Sequence, residues 1–139
     1  PGSLQPDRLS ARKIAQWRRL ALRHAPQFAH GLLVPAYATG LCAEQMAQRV
    51  LARHCSAIGP GHALHPLLAR VLADEARHVQ LCQATLQRLV SPQELPALAQ
   101  LLSEVRRIDR RLGISGAIGM HLVGQYHRLT SKKLAAEPA

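Results

Sequence analysis

The sequence predicts an all-helical domain, an antiparallel bundle of about five helices, and three observations carry that expectation. Almost half of the 139 residues are hydrophobic but only 3 % are aromatic, so the core must be built from Leu, Ala, Val and Ile. That composition suits packed helices better than sheets. No segment alternates apolar and polar residues with period two. The breaks between apolar-periodic segments are short, and short connections make neighbouring helices antiparallel. The length is that of a single domain, 1–139, with its own apolar core.

The first helix is predicted from about Asp7 to His24, with Ile14, Trp17 and Ala21 on one face and Pro26 ending it. The second begins near Pro35, a residue tolerated in a first turn, and stops before Gly59-Pro60-Gly61. The third runs from about His65 to Val90. Ser91-Pro92 closes it and opens the fourth, where Ser91 caps and Glu94 completes a capping box. The fourth carries Leu98, Leu101, Val105, Ile108 and Leu112 as its stripe, with Glu104 off it and facing solvent. Gly113 precedes a fifth helix reaching about Ala135. Pro1-Gly2-Ser3 reads as a cloning scar with no initiator Met after it, which leaves room for a natural protein that extends further upstream.

No apolar run approaches the roughly 20 residues of a membrane span, and no signal-peptide pattern opens the chain. Cys42, Cys55 and Cys82 are an odd number at no metal-like spacing and read as reduced core thiols of a cytoplasmic protein. The formal charge of +10 is large for this size. Much of it lies in Arg12, Lys13, Arg18, Arg19 and Arg23, and in Arg106, Arg107, Arg110 and Arg111. Such spacing is first a solvated helix face. No nucleic-acid-binding motif accompanies it, so nucleic acid is the lesser of the partners the charge allows.

The third helix carries Asp74-Glu75-Ala76-Arg77-His78. A Glu-x-x-His alone is weak, and its phase is what raises it. At about 100° per residue, Leu64, Leu68, Val71, Leu72, Glu75, Val79, Cys82, Leu86 and Leu89 form one stripe. Arg70, Arg77, Gln80, Gln87 and Arg88 oppose it. Glu75 lies within the apolar stripe and His78 at its edge one turn on. An unpaired buried carboxylate costs several kcal/mol. The second helix repeats the anomaly: Glu44 falls on the half with Ala47, Leu51, His54 and Ile58, away from Gln45, Arg49, Arg53 and Ser56. Glu44 stands fifteen residues before Gly59 and Glu75 fourteen after Gly61, so a hairpin brings them to nearly one height. A shared cation accounts for both. Iron and manganese accept carboxylate oxygen and imidazole nitrogen while keeping open positions, and i, i+3 residues share a helix face.

A lone Glu followed about thirty residues later by Asp-Glu-x-Arg-His resembles the ferritin-like carboxylate di-iron family, and within it oxygenases of the p-aminobenzoate N-oxygenase type. The resemblance covers roughly Tyr37 to Val90. It implies a ferritin-like bundle, iron as cofactor, and a non-haem di-iron oxidase or oxygenase that uses dioxygen to oxidise a small organic substrate. It also implies Glu44, Glu75 and His78 as metal ligands, and Asp74 as a group orienting a histidine.

The full ligand set is a single Glu plus Glu-x-x-His, each occurring twice, and this sequence has it once. In the fifth helix His121 is the best additional nitrogen, but Ile118 stands where its Glu would be. Val71 occupies the place of the extra histidine of the N-oxygenase pattern. Three explanations stay open: a homodimer completing the site, a missing half upstream of Leu4, or a degenerate site. The bland alternatives also stay open. Beside the metal reading, Glu75 and His78 also read as a buried hydrogen-bonded pair tied to an arginine from another helix, and Glu44 as a boundary residue reaching water. His54 reads as a satisfied core-edge histidine, and His62 and His65 belong to the turn. A non-catalytic helical interaction module with a basic surface and an iron-storage subunit are the competing functions.

Overall fold

The computed structural model describes residues 8–113, and these are all-helical, with no strand among them. Helix α1 is Arg8–His24, α2 is Leu33–Ile58 and α3 is His65–Leu89. A fourth helix, α4, covers 95–113 of the described residues. The expected fifth helix, with His121, lies outside them.

Local chemistry sets the boundaries. A tight turn at Ala25–Gln27 carries Pro26 and ends α1. Helix α2 starts two residues before Pro35 and so holds it in the first turn, where a missing N–H costs no intrahelical bond. Gly59 ends α2 at φ 72°, a left-handed backbone that suits glycine, with its N–H on the Cys55 carbonyl at 3.0 Å. The chain leaves α3 extended at Val90. At Ser91 the expected capping box forms, with the Ser91 N–H and hydroxyl both donating to Glu94 Oε2 at 2.8 Å. The other Glu94 oxygen accepts the Ala29 N–H at 2.6 Å, so the start of α4 is tied to the α1–α2 loop.

Helices α2 and α3 pack as an antiparallel hairpin. Leu20, Phe28, Val34, Ala38, Leu41, Val79, Leu86, Leu101 and Val105 form one continuous core with Cys42. The α4 stripe predicted from periodicity faces inward, and Leu101 and Val105 are fully enclosed.

On helix α1, Trp17 and Ala21 face inward as expected, together with Leu20 and His24, but Ile14 is 56 % exposed. Lys13 takes the inner position instead. Its ammonium sits 4.3 Å from the Trp17 ring centroid and 2.8 Å from Asp109 Oδ1 on α4, and donates to Met46 Sδ on α2 at 3.3 Å. A cation over an indole face is attracted by the ring quadrupole, so the buried stem brings compensation with it. Reading α1 by apolar residues alone misses this, because the inward residue is a lysine.

Candidate metal centre

The α2–α3 hairpin sets the heights of the site residues. A Cβ placed on Gly40 would lie 3.8 Å from Cys82 Sγ, so these two positions are in van der Waals register. One turn further along α2, and one turn back along α3, Glu44 faces His78. Glu75 is one turn before His78 on the same face.

The donor atoms of Glu44, Glu75 and His78 all lie within 4.8 Å of one another. His78 Nδ1 is 3.7 Å from Glu44 Oε2 and 3.6 Å from Glu75 Oε2. These separations exceed hydrogen-bond length. They match the spacing of ligands about 2.1 Å from one ion, which is about 3 Å for neighbours at a right angle and about 4.2 Å for opposed ones.

Exposure grades across the cluster, with the Glu75 side chain 18 % exposed, Glu44 32 % and the His78 ring 57 %. Glu75 Oε2 is enclosed and accepts no hydrogen bond. A hydrogen bond between the Glu44 and Glu75 carboxyls, which needs one of them protonated, is the main cause that pushes the Glu44 pKa above the usual carboxylate range; burial and the Glu75 charge add to this, and His78 opposes it. A proton or an ion is therefore favoured between the two carboxylates. Burial raises the pKa of the neighbouring Cys82 thiol, and the Glu44 charge adds to it; the donor atoms that converge are those of Glu44, Glu75 and His78.

The residues present fit a transition metal that takes oxygen and nitrogen. Two carboxylates and one imidazole converge, and one of the oxygens has no other partner.

Other residues singled out in the sequence go elsewhere. Asp74 pairs with Arg77 on the outer side of α3 rather than with a histidine. His54 is exposed, not at the core edge, and its Nδ1 lies 2.8 Å from the Val50 carbonyl of its own helix. His62 Nδ1 accepts the Leu64 N–H at 3.1 Å, a contact within the turn.

Glu104 corrects a second expectation. It is only 15 % exposed, because Arg23 of α1 pairs with it and His24 Nε2 approaches it to 3.4 Å. Burial alone would raise its pKa, but the Gln100 hydrogen bond and the charges of Arg23 and His24 outweigh that and leave it below the usual range. Its inward turn depends on cations from α1, so no reading of α4 alone finds it. His24 itself is 1 % exposed, with Nδ1 unpartnered.

No protein-family model, curated protein or solved structure matches the chain.

Proposed function

We propose that Glu44, Glu75 and His78 form one half of a carboxylate di-metal site that takes iron, with manganese as the alternative ion. The chain would then serve as a non-haem di-iron oxidase or oxygenase of the ferritin-like class, using dioxygen to oxidise a small organic substrate. The observation that carries this reading is the enclosed Glu75 Oε2, which has no hydrogen-bond donor and lies 3.6 Å from an imidazole nitrogen. Bound iron supplies redox chemistry toward dioxygen.

The chain's own residues do the rest. The two helices hold the carboxylates at one height. The raised proton affinity of Glu44 sets a proton in competition with the ion at this pair, so metal binding is favoured as the pH rises. The exposed ring of His78 leaves the cluster open at the side of the hairpin. Substrate and dioxygen would approach there, and a second copy in a homodimer would bring the matching Glu and Glu-x-x-His.

A non-catalytic helical module with a degenerate site is the second reading. The observation that favours it is also the raised Glu44 pKa, since a proton satisfies the carboxylate pair without any ion.

Anaerobic loading with ferrous iron, followed by gel filtration and elemental analysis, separates the two. The metal reading expects iron retained by the full chain and lost in Glu75→Ala. Equal retention in both, or in neither, defeats it. Oxygen consumption that needs an organic substrate supports the oxygenase, whereas consumption with iron alone assigns the chain to iron storage.

A further inference from the structure

A cavity of about 200 Å³ lies between α2 and α4, lined by Cys42, Gln45 and Arg49 from α2 and by Arg106, Asp109 and Arg110 from α4. Its acidic residue, Asp109, is already held by Lys13 of α1 at 2.8 Å. The other described carboxylates are committed elsewhere. Asp74 pairs with Arg77, Glu104 pairs with Arg23 and lies 3.9 Å from Arg107, Glu44 and Glu75 face His78, and Glu94 accepts from Ser91 and Ala29. Among the described residues, then, no carboxylate pairs with Arg49, Arg106 or Arg110. Arg106 lies against the Cys42 thiol, which is 2 % exposed and, with its pKa raised by burial, carries no charge at neutral pH. Arg106 and Arg110 also stand one turn apart on α4, and like charges at i, i+4 destabilise a helix. Three guanidinium groups from two helices thus meet at one cavity without a carboxylate to answer them.

We propose that this α2–α4 cavity binds the phosphate group of a small molecule, its oxygens held by Arg49 from one helix and by Arg106 and Arg110 from the other. Planar guanidinium forks bind phosphate bidentately. A carboxylate ligand would bring one charge and two oxygens, which a single fork saturates. A phosphate group brings about −2 and three free oxygens, enough to engage both helices. The volume lies below the roughly 300–1,000 Å³ of sites for larger ligands, and so suits a phosphate with little attached to it. Lys13 matters here because it occupies Asp109, which would otherwise draw the arginines to itself. A nucleic acid strand is disfavoured, because no aromatic side chain lines the cavity for bases to stack on.

The test uses the full chain without added metal, so it is independent of the iron reading. Inorganic phosphate, glycerol phosphate, acetate and a short single-stranded oligonucleotide are titrated at constant ionic strength, with calorimetry and thermal shift as readouts. Saturable binding of phosphate or glycerol phosphate is expected, and the tighter of the two shows whether the group is free or esterified. Arg49→Gln/Arg110→Gln should be no less stable than the parent when unliganded, because it breaks no ion pair among the described residues and relieves the repulsion on α4. It should bind phosphate more weakly by about tenfold per guanidinium removed, about a hundredfold together. Arg70→Gln/Arg88→Gln, with the same change of net charge on exposed positions of α3, should keep the parent affinity. Equal weakening in the two double variants overturns the proposal, as does phosphate binding no stronger than that of acetate. An oligonucleotide that outcompetes both small phosphates overturns it in favour of nucleic acid.

Discussion

Replacing Glu75 by Gln tests the candidate centre in two directions at once. The substitution keeps the shape, removes one of two neighbouring negative charges, and provides an amide N–H₂ that can donate to Glu44. A buried polar atom left without a partner costs about 1–3 kcal/mol, and Glu75 Oε2 is such an atom. Metal-free Glu75→Gln should therefore be more stable than the parent at neutral pH by about 1–2 kcal/mol, or about 3–8 °C in Tm for a domain of this size. With ferrous iron the order should reverse, since the variant lacks a ligand and its iron-dependent shift should vanish. The pH dependence adds a third reading. Because the folded state raises the Glu44 pKa, it binds more protons than the unfolded chain between the ordinary carboxylate pKa and the raised one. Metal-free parent protein should gain stability as the pH falls through that window, with the penalty complete above it. Glu75 is the main cause of the shift, so Glu75→Gln should flatten this gain. Iron affinity should move the opposite way and rise with pH, because the ion displaces a proton. Thermal melts at a series of pH values, with and without anaerobic iron, read all three. A metal-free Glu75→Gln that is less stable than the parent would refute the orphaned-oxygen reasoning, and an unchanged iron shift would refute the ligand assignment.

Three further outcomes follow from the contacts around the site. Lys13→Met should cost about 2–4 kcal/mol in urea unfolding, because it leaves Asp109 largely buried without its ammonium; Lys13→Met/Asp109→Leu should recover most of this, and failure to recover would mean the lysine stem and not the charge pair matters. Glu94 accepts from Ala29 and Ser91, and these bonds lower its pKa, so its contribution is complete above the ordinary carboxylate range and is lost as the pH falls through the lowered value. Glu94→Ala should shrink the acid-side loss of stability, and an unchanged acid limb in equilibrium unfolding would count against this. Gly40→Ala should stabilise α2 by about 0.5–1 kcal/mol, since the added Cβ meets only Cys82 Sγ at 3.8 Å. A loss of stability, by chemical denaturation, would mean the α2–α3 packing is tighter there than that distance implies.

The sequence makes most of the architecture legible because the signals are local. Pro26, Pro35 and Gly59 act within one turn, and the observed boundaries fall within two residues of those read from them, while the Ser91/Glu94 box opens a short 3-10 turn, Pro92–Glu94, before α4 begins at 95. The hairpin register was accessible for the same reason. Counting outward from Gly59-Pro60-Gly61 needs only the helical rise, and it brings Glu44, Glu75 and His78 together. What stayed hidden depends on partners from other helices. Lys13 turns inward because Trp17, Met46 and Asp109 receive it, and only Trp17 is on its own helix. Glu104 turns inward because α1 brings Arg23 and His24 to it. Each looks like a surface charge when its own helix is wound alone. The misplaced Ile14 is the other side of the same error, since an inward Lys13 rotates an apolar neighbour outward.

The candidate centre runs against the charge balance of the chain that carries it. This chain carries far more Arg and Lys than Asp and Glu, giving +10 formally, yet on α2 and α3 it places two carboxylates together with a half-exposed imidazole beside them. Glu44 and Glu75 thereby forgo cations the sequence has in abundance. Glu104 shows the alternative, an acidic side chain turned inward where Arg23 meets it. A carboxylate pair left to one imidazole keeps a demand for positive charge, and a bound cation meets it.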